Sequence, residues 1–276
     1  KCFLLKVYDI PEGSRTSKGR AIQNLMNIEP DDKVKAYINV NKLTDKEYIT
    51  SNYIILCTKN GIVKKTELEE YSRPRQNGII AINIREGDQL LEAKLTRGVS
   101  EIVIGIKSGK AMRFNEKTVR DVGRNASGVR AIKIEPGDEV IGMICIENET
   151  EDVLVVSEKG YGKRSQLTDY RITNRGGKGV KTINVTDKTG ALIALKGVID
   201  SDDLMIITKS GMTIRLPVSE LRIMGRNTQG VRLINLKGND EIAAVAYVEG
   251  GENEISGEGT MDENPTEEGR EPDENV

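Results

Sequence analysis

The stretch Val153-Leu154-Val155-Val156-Ser157-Glu158-Lys159-Gly160-Tyr161-Gly162-Lys163-Arg164 sets a short apolar run against a Lys-Gly turn and follows the turn with two cations. An aliphatic run of this length, closed by a glycine that supplies positive φ, reads as a strand entering a tight hairpin. The same pattern runs from Ile54 to Gly61, from Ile102 to Gly109 and from Leu204 to Gly211. The turn glycines stand at 61, 109, 160 and 211, so the steps are 48, 51 and 51 residues.

Two further landmarks share this period. A polar, arginine-bearing loop with a late glycine precedes an alternating strand at Ser14–Gly19, Arg73–Gly78, Gly123–Gly128, Asn174–Gly179 and Gly225–Gly230. A turn precedes a closing strand at Pro30-Asp31-Asp32, Glu86-Gly87-Asp88, Pro136-Gly137-Asp138 and Lys237-Gly238-Asn239-Asp240, with a looser copy at Asp187–Gly190. A period near fifty with about four strands is the signature of radially repeated blades, which bury their faces by stacking on one another. The predicted fold is therefore all-β and propeller-like, with repeats over roughly 1–43, 53–97, 101–147, 152–199 and 203–248. The first of these five repeats is expected to be truncated, lacking its opening strand. Thr44–Asn52 reads as a surface loop, and Asn115–Val122 and Pro217–Ile223 read as single helical turns.

Composition narrows the function. The 276 residues are 37% hydrophobic but only 4% aromatic, with no Trp, so the core must be Ile, Val and Leu. Apolar runs such as Ile102–Ile106 are far too short to span a bilayer, and no signal peptide opens the chain. No histidine occurs, which excludes a His-based triad, and without a CxxC pair a zinc site is not expected. Cys2, Cys57 and Cys145 are too scattered for a disulfide framework, and the last two sit in apolar runs as buried free thiols. No metal or cofactor is expected in this chain, and no carboxylate pair suggests acid–base catalysis.

The net charge of −2 averages two opposed segments. From Glu249 onward the chain carries eleven Asp or Glu and a single Arg, so this tail is −10 and residues 1–248 are +8. With almost nothing apolar to bury, 249–276 is expected to be disordered.

Cations recur with the repeat. Lys64, Lys65, Arg113, Lys163, Arg164 and Arg215 follow the hairpins, and Lys6 is taken as their first-repeat counterpart. The loops add Arg15, Lys18, Arg20, Arg73, Arg75, Arg120, Arg124, Arg175, Lys178 and Arg226. Equivalent positions in a blade array share a face or rim, so this set reads as a curved cationic track for a bending phosphate backbone. Arg175 and Lys178 are expected on an exposed Gly-rich turn whose amides also approach phosphate. Gly162-Lys163 does not continue as a P-loop should, which argues against nucleotide binding there.

These residues resemble the C-terminal domain of the A subunit of bacterial DNA gyrase, a type IIA topoisomerase, over about 1–248. The resemblance is carried by Leu5–Glu12, Asn60–Thr66, Gly160–Arg164 and Gly225–Val231. It implies a β-pinwheel, in which each four-stranded blade is completed by a strand from its neighbour. It also implies non-sequence-specific wrapping of double-stranded DNA around a basic rim, in service of ATP-dependent negative supercoiling. ATP and Mg2+ would act elsewhere in the parent enzyme. The catalytic tyrosine and the contacts to a second A subunit or to the gyrase B subunit would lie outside this chain, in a bacterial, cytoplasmic setting. The family's signature box of glutamine, cations and glycines belongs to a first blade not recognised here. Thr173–Gly179 matches only its last five positions and reads as a blade-equivalent loop. The alternatives are a protein-interaction propeller, which would need an apolar or aromatic patch, and the related domain from the A subunit of topoisomerase IV.

Overall fold

The computed structural model describes residues 1–14, 16–29, 31–147 and 150–248. Arg15 and the acidic segment from Glu249, with its expected disorder, lie outside the described residues.

Each quoted apolar run becomes the central strand of a sheet. β1 (Tyr53–Thr58) turns at Gly61 into β2 (Ile62–Glu67), and the closing strand β3 (Leu90–Thr96) pairs with the other edge of β1. The next repeat gives β4 (Glu101–Ile106), β5 (Lys110–Asn115), a two-residue strand β6 (Val129–Arg130) and β7 (Val140–Ile146). β8 (Asp152–Ser157), β9 (Tyr161–Gln166), β10 (Val180–Lys181) and β11 (Leu192–Val198) follow, then β12 (Asp203–Thr208), β13 (Thr213–Pro217), β14 (Val231–Arg232) and β15 (Ile242–Val248). The sheets are ordered β3-β1-β2-β6, β7-β4-β5-β10, β11-β8-β9-β14 and β15-β12-β13.

The short fourth strand always comes from the following repeat. The late loop glycine makes that exchange possible. Gly128, Gly179 and Gly230 have positive φ, and a Cβ on them would lie 2.5, 2.7 and 2.6 Å from the carbonyl oxygens of Val63, Ala111 and Gly162. Only a residue without a side chain lets the incoming strand lie this close. The last sheet has three strands among the described residues.

Stacking explains why the central runs are apolar at nearly every position. Ile55 and Cys57 of β1 pack against Ile102, Ile104 and Ile106 of β4. Val103 of β4 meets Val153 and Val155 of β8, and Leu154 and Val156 of β8 meet Leu204 and Ile206 of β12. Alternate residues of one strand thus serve two different interfaces, and each buried aliphatic side chain contributes about 1.5–3 kcal/mol.

Two expectations change. Within 1–43 no sheet forms among the described residues. This segment supplies 3-10 turns at Val7–Asp9 and Ile22–Asn24, one bridge from Cys2 to Ile79, and a flank of Ala36, Ile38 and Val40 for the core under β1. Thr44–Asn52 is no plain loop, because it contains the helix α1 (Lys46–Ser51). Asp45 caps that helix by accepting from the amides of Glu47 and Tyr48, and Ile49 anchors it in the core. The single turns expected after the hairpins are 3-10 turns, at Glu116–Thr118 and Val218–Glu220 and also at Leu68–Tyr71 and Leu167–Asp169.

Candidate nucleic-acid interface

Cations after the hairpins sit where one repeat meets the next. Arg113 donates from Nε to Glu101 at 2.6 Å and from Nη1 to the carbonyls of Leu167 and Tyr170 at 2.7 and 3.0 Å. Arg164 repeats the arrangement, with Nε donating to Leu221 O at 2.6 Å and Nη1 paired with Asp200 and, at 3.6 Å, Asp152. Lys65 reaches Asp121 of the following repeat at 2.9 Å and lies 4.9 Å over the Tyr53 ring. Lys64 donates to Ala81 O at 2.7 Å and to Arg124 O, and Lys163 donates to Gly225 O at 2.5 Å and Thr228 Oγ1 at 3.0 Å.

All five side chains are buried. A buried cation with its donors committed to protein oxygens is not available to a phosphate. The expectation for Lys64, Lys65, Arg113, Lys163 and Arg164 is therefore revised: they staple consecutive repeats. Arg215 holds the same position with no described repeat after it, and it stays exposed and, among the described residues, paired only with Asp203 at 2.7 Å. Lys6 is corrected too. The Cys2–Ile79 bridge sets Leu4, not Lys6, at this position of the first segment, and Lys6 is an exposed lysine 5.4 Å over the Tyr8 ring.

Burial leaves an electrostatic mark on the lysines. Lys64 and Lys163 are both pushed down to about 8, chiefly by desolvation, helped by the positive charge of Arg124 and Arg226 respectively. Both lysines hold loops of one type, Gly123-Arg124-Asn125 and Gly225-Arg226-Asn227. Where the repeat has Met112 in place of lysine, the docked loop is Asn174-Arg175-Gly176-Gly177, and a Cβ at Gly177 would come within 3.2 Å of Met112 Cε.

The loop arginines are partly committed as well. Arg124, Arg175 and Arg226 donate from Nη1 to the carbonyls of Ile80, Arg130 and Lys181 at 3.4, 3.0 and 3.1 Å. Each acceptor lies two residues after the loop glycine of the preceding repeat, so each arginine clasps the previous exchange segment. Arg175 also reaches Thr118 O at 3.0 Å and is half-buried, where an exposed turn residue was expected. Lys178 is exposed, as are Lys18, Arg20, Arg73, Arg75 and Arg120.

What remains outside forms two rows. Arg120, Arg171 and Arg222 occupy one repeat position at steps of 51 residues, and Arg130, Lys181 and Arg232 occupy another. All six are exposed, and among the described residues none has a carboxylate within salt-bridge distance. The Arg175 clasp draws Thr118 and Arg130 to one loop, which brings the rows together at that junction. Five of the six were missed from the sequence, although the 51-residue step marks them.

Sheets completed by the following repeat and edged with unpaired cations define a strand-exchanged propeller, a β-pinwheel, with an anion-seeking rim. The chain belongs to the DNA gyrase C-terminal domain, beta-propeller family, which matches residues 1–51, 52–97, 107–147, 151–198 and 202–249. It is 40% identical over 274 residues to the DNA gyrase A subunit of Staphylococcus aureus (strain MRSA252), covering 98% of this chain and 30% of that protein. The chain thus spans under a third of the length of such relatives. The crystal structure of the C-terminal domain of DNA topoisomerase IV superposes with a TM-score of 0.80 at 26% identity, over 88% of this chain and 75% of that one. The DNA gyrase A C-terminal domain superposes with a TM-score of 0.74 at 23% identity, over 88% and 77%.

Proposed function

We propose that this chain binds double-stranded DNA without sequence preference, bends it along the two cation rows, and so supplies the DNA-wrapping part of a gyrase A subunit. The observation that carries this reading is the recurrence of six exposed, unpaired cations at fixed repeat positions. A phosphate backbone is the ligand that asks for evenly spaced positive charge along a curve. No recognition helix is present among the described residues to read sequence, since the one α-helix there is six residues long. The gyrase assignment is favoured over topoisomerase IV by 40% identity along almost the whole chain. In the parent enzyme the domain would present a wrapped segment for ATP-dependent negative supercoiling. The cleavage tyrosine would lie outside this chain, as would the regions that engage ATP, Mg2+, a second A subunit or the gyrase B subunit.

The test is a salt series on DNA of unrelated sequences. Six phosphate contacts imply a loss of about 10³ in affinity between roughly 50 and 200 mM salt. Replacing Arg120, Arg171 and Arg222 by Gln should lower the salt slope by about 0.9 per residue. Equal affinity at both salt concentrations, or a slope unmoved by the triple substitution, refutes the reading. A DNA circle relaxed in the presence of the domain should trap writhe; an unchanged linking number refutes wrapping while leaving binding intact.

A further inference from the structure

The junction between the last two described repeats carries a cluster the others lack. On the exchange strand β14, Arg232 lies opposite Tyr161 of β9, and its Nη2 donates to the phenol oxygen at 3.0 Å. Arg232 also stands 5.5 Å from the ring centroid, and Lys188 Nζ approaches the same ring to 5.5 Å. Neither cation has a carboxylate within salt-bridge distance among the described residues. Among the described residues the one further guanidinium partner is the neutral Asn235 Oδ1, at 3.3 Å from Nη1.

We propose that Tyr161, Lys188 and Arg232 form a phosphate-binding subsite on the rim. The chemistry converges in three ways. Two cations each 5.5 Å from one ring centroid raise the positive potential there, and a bound anion relieves it. Tyr161 is largely covered, at 7% exposure, and its phenol oxygen accepts from Arg232, so its own hydrogen remains available to donate. The ammonium, which also approaches the phenol as a donor, keeps two further donors and the guanidinium keeps Nε, which together suit a tetrahedral oxyanion. The phenol is accordingly held below the usual tyrosine range by the Arg232 hydrogen bond first, then by the charges of Arg232 and Lys188. At the two earlier junctions the residue opposite the exchange-strand cation is Ile62, facing Arg130, and Lys110, facing Lys181. Neither offers a hydroxyl, so the three-group arrangement is particular to this place.

The inference rests on the DNA-binding reading for its ligand, a backbone phosphate of double-stranded DNA, and extends it to one defined contact. The test uses the whole chain and two probes. With DNA, Lys188→Ala should lower the salt slope by about 0.9, so the affinity deficit shrinks about threefold as salt rises from roughly 50 to 200 mM. Tyr161→Phe keeps the ring and should weaken binding with no change in slope. Lys209→Ala, which removes a lysine paired with Glu241, is the control and should leave the slope unchanged. With inorganic phosphate alone, saturable 31P line broadening should appear and should be lost in both Lys188→Ala and Tyr161→Phe. Phosphate binding with an unchanged DNA slope in Lys188→Ala overturns the DNA contact and leaves a site for free phosphate. An unchanged slope and no phosphate response overturn the subsite itself. Failure of the unsubstituted chain to bind DNA overturns the parent reading instead, and the phosphate arm still decides the site.

Discussion

Arg164 and Arg215 occupy the same place in consecutive repeats, and only Arg164 has a described repeat docked on it. Arg164→Ala removes the donor to Leu221 O, which lies in the buried interface. A buried carbonyl left without its donor costs about 1–3 kcal/mol. The same change strips a partner from Asp152, which is largely covered, and from Asp200, which is largely in solvent. The Asp200 share is below about 1 kcal/mol because water screens it. The sum is about 3 kcal/mol, at the low end for breaking a buried pair. Arg215→Ala loses only an exposed pair with Asp203, so its cost stays within about 1 kcal/mol. Urea unfolding of both variants, followed by circular dichroism, measures the difference. Asp152 adds a pH signature. Desolvation already raises its carboxyl and Arg164 opposes that rise, so without Arg164 it protonates at milder acidity. A neutral acid is cheaper to bury, so the Arg164→Ala deficit should shrink as the pH falls through the raised carboxyl range of Asp152. Equal costs for the two arginines, or a deficit that grows with acid, refute the stapling argument.

Gly230→Ala should destabilise by more than about 2 kcal/mol, because its Cβ would meet Gly162 O at 2.6 Å at positive φ, whereas Gly225→Ala meets nothing within 4 Å. Urea midpoints that move equally for the two would count against the close-approach account of strand exchange. Lys163 is depressed to about 8 in the folded chain, against about 10.4 unfolded. The folded state therefore binds fewer protons across that window, and the stability of the unsubstituted chain relative to Lys163→Met should rise with pH from about 8 to 10.4. A flat or falling difference in urea-unfolding free energy would show that burial does not set that lysine's charge. Removal of 249–276, with its charge of −10, should tighten DNA binding at low salt and do less as salt rises. Identical binding isotherms with and without that segment would leave it no competing role.

The repeat, the hairpins and the exchange loops were legible because each leaves a local mark: a β-branched run, a glycine at a fixed offset, a turn. The location of the cations was not, because a repeated interface demands repetition as strictly as a repeated surface does. Lys64 and Lys178 look alike in sequence, yet one is enclosed and the other faces water. One signal does mark the hairpin arginines. Arg113, Arg164 and Arg215 each follow an acid by twelve residues, namely Glu101, Asp152 and Asp203, which antiparallel register places diagonally across the hairpin on the same face. A cation that faces an acid across its own hairpin is already spoken for; the offset alone does not decide, since Lys181 and Arg232 follow Asp169 and Glu220 by twelve residues outside any hairpin register and stay free of carboxylates among the described residues. The helix at Lys46–Ser51 was invisible to periodicity because six residues are too few to display one, and only its cap at Asp45 marks it.

Strand exchange also dictates an order of events during synthesis. The open edge of β2 ends at Glu67, and the strand that covers it does not begin until Val129. At about 5–20 residues per second the ribosome needs roughly 3–12 s to deliver the intervening stretch of about sixty residues. Through that interval each nascent blade displays a naked edge, the kind of template on which chains aggregate. The edge strands β2, β5 and β9 carry Lys64 and Lys65, Lys110 and Arg113, and Lys163 and Arg164. All but Lys110 end as internal staples, and they begin as guards, keeping each unfinished sheet from a stranger's strand until its own partner emerges.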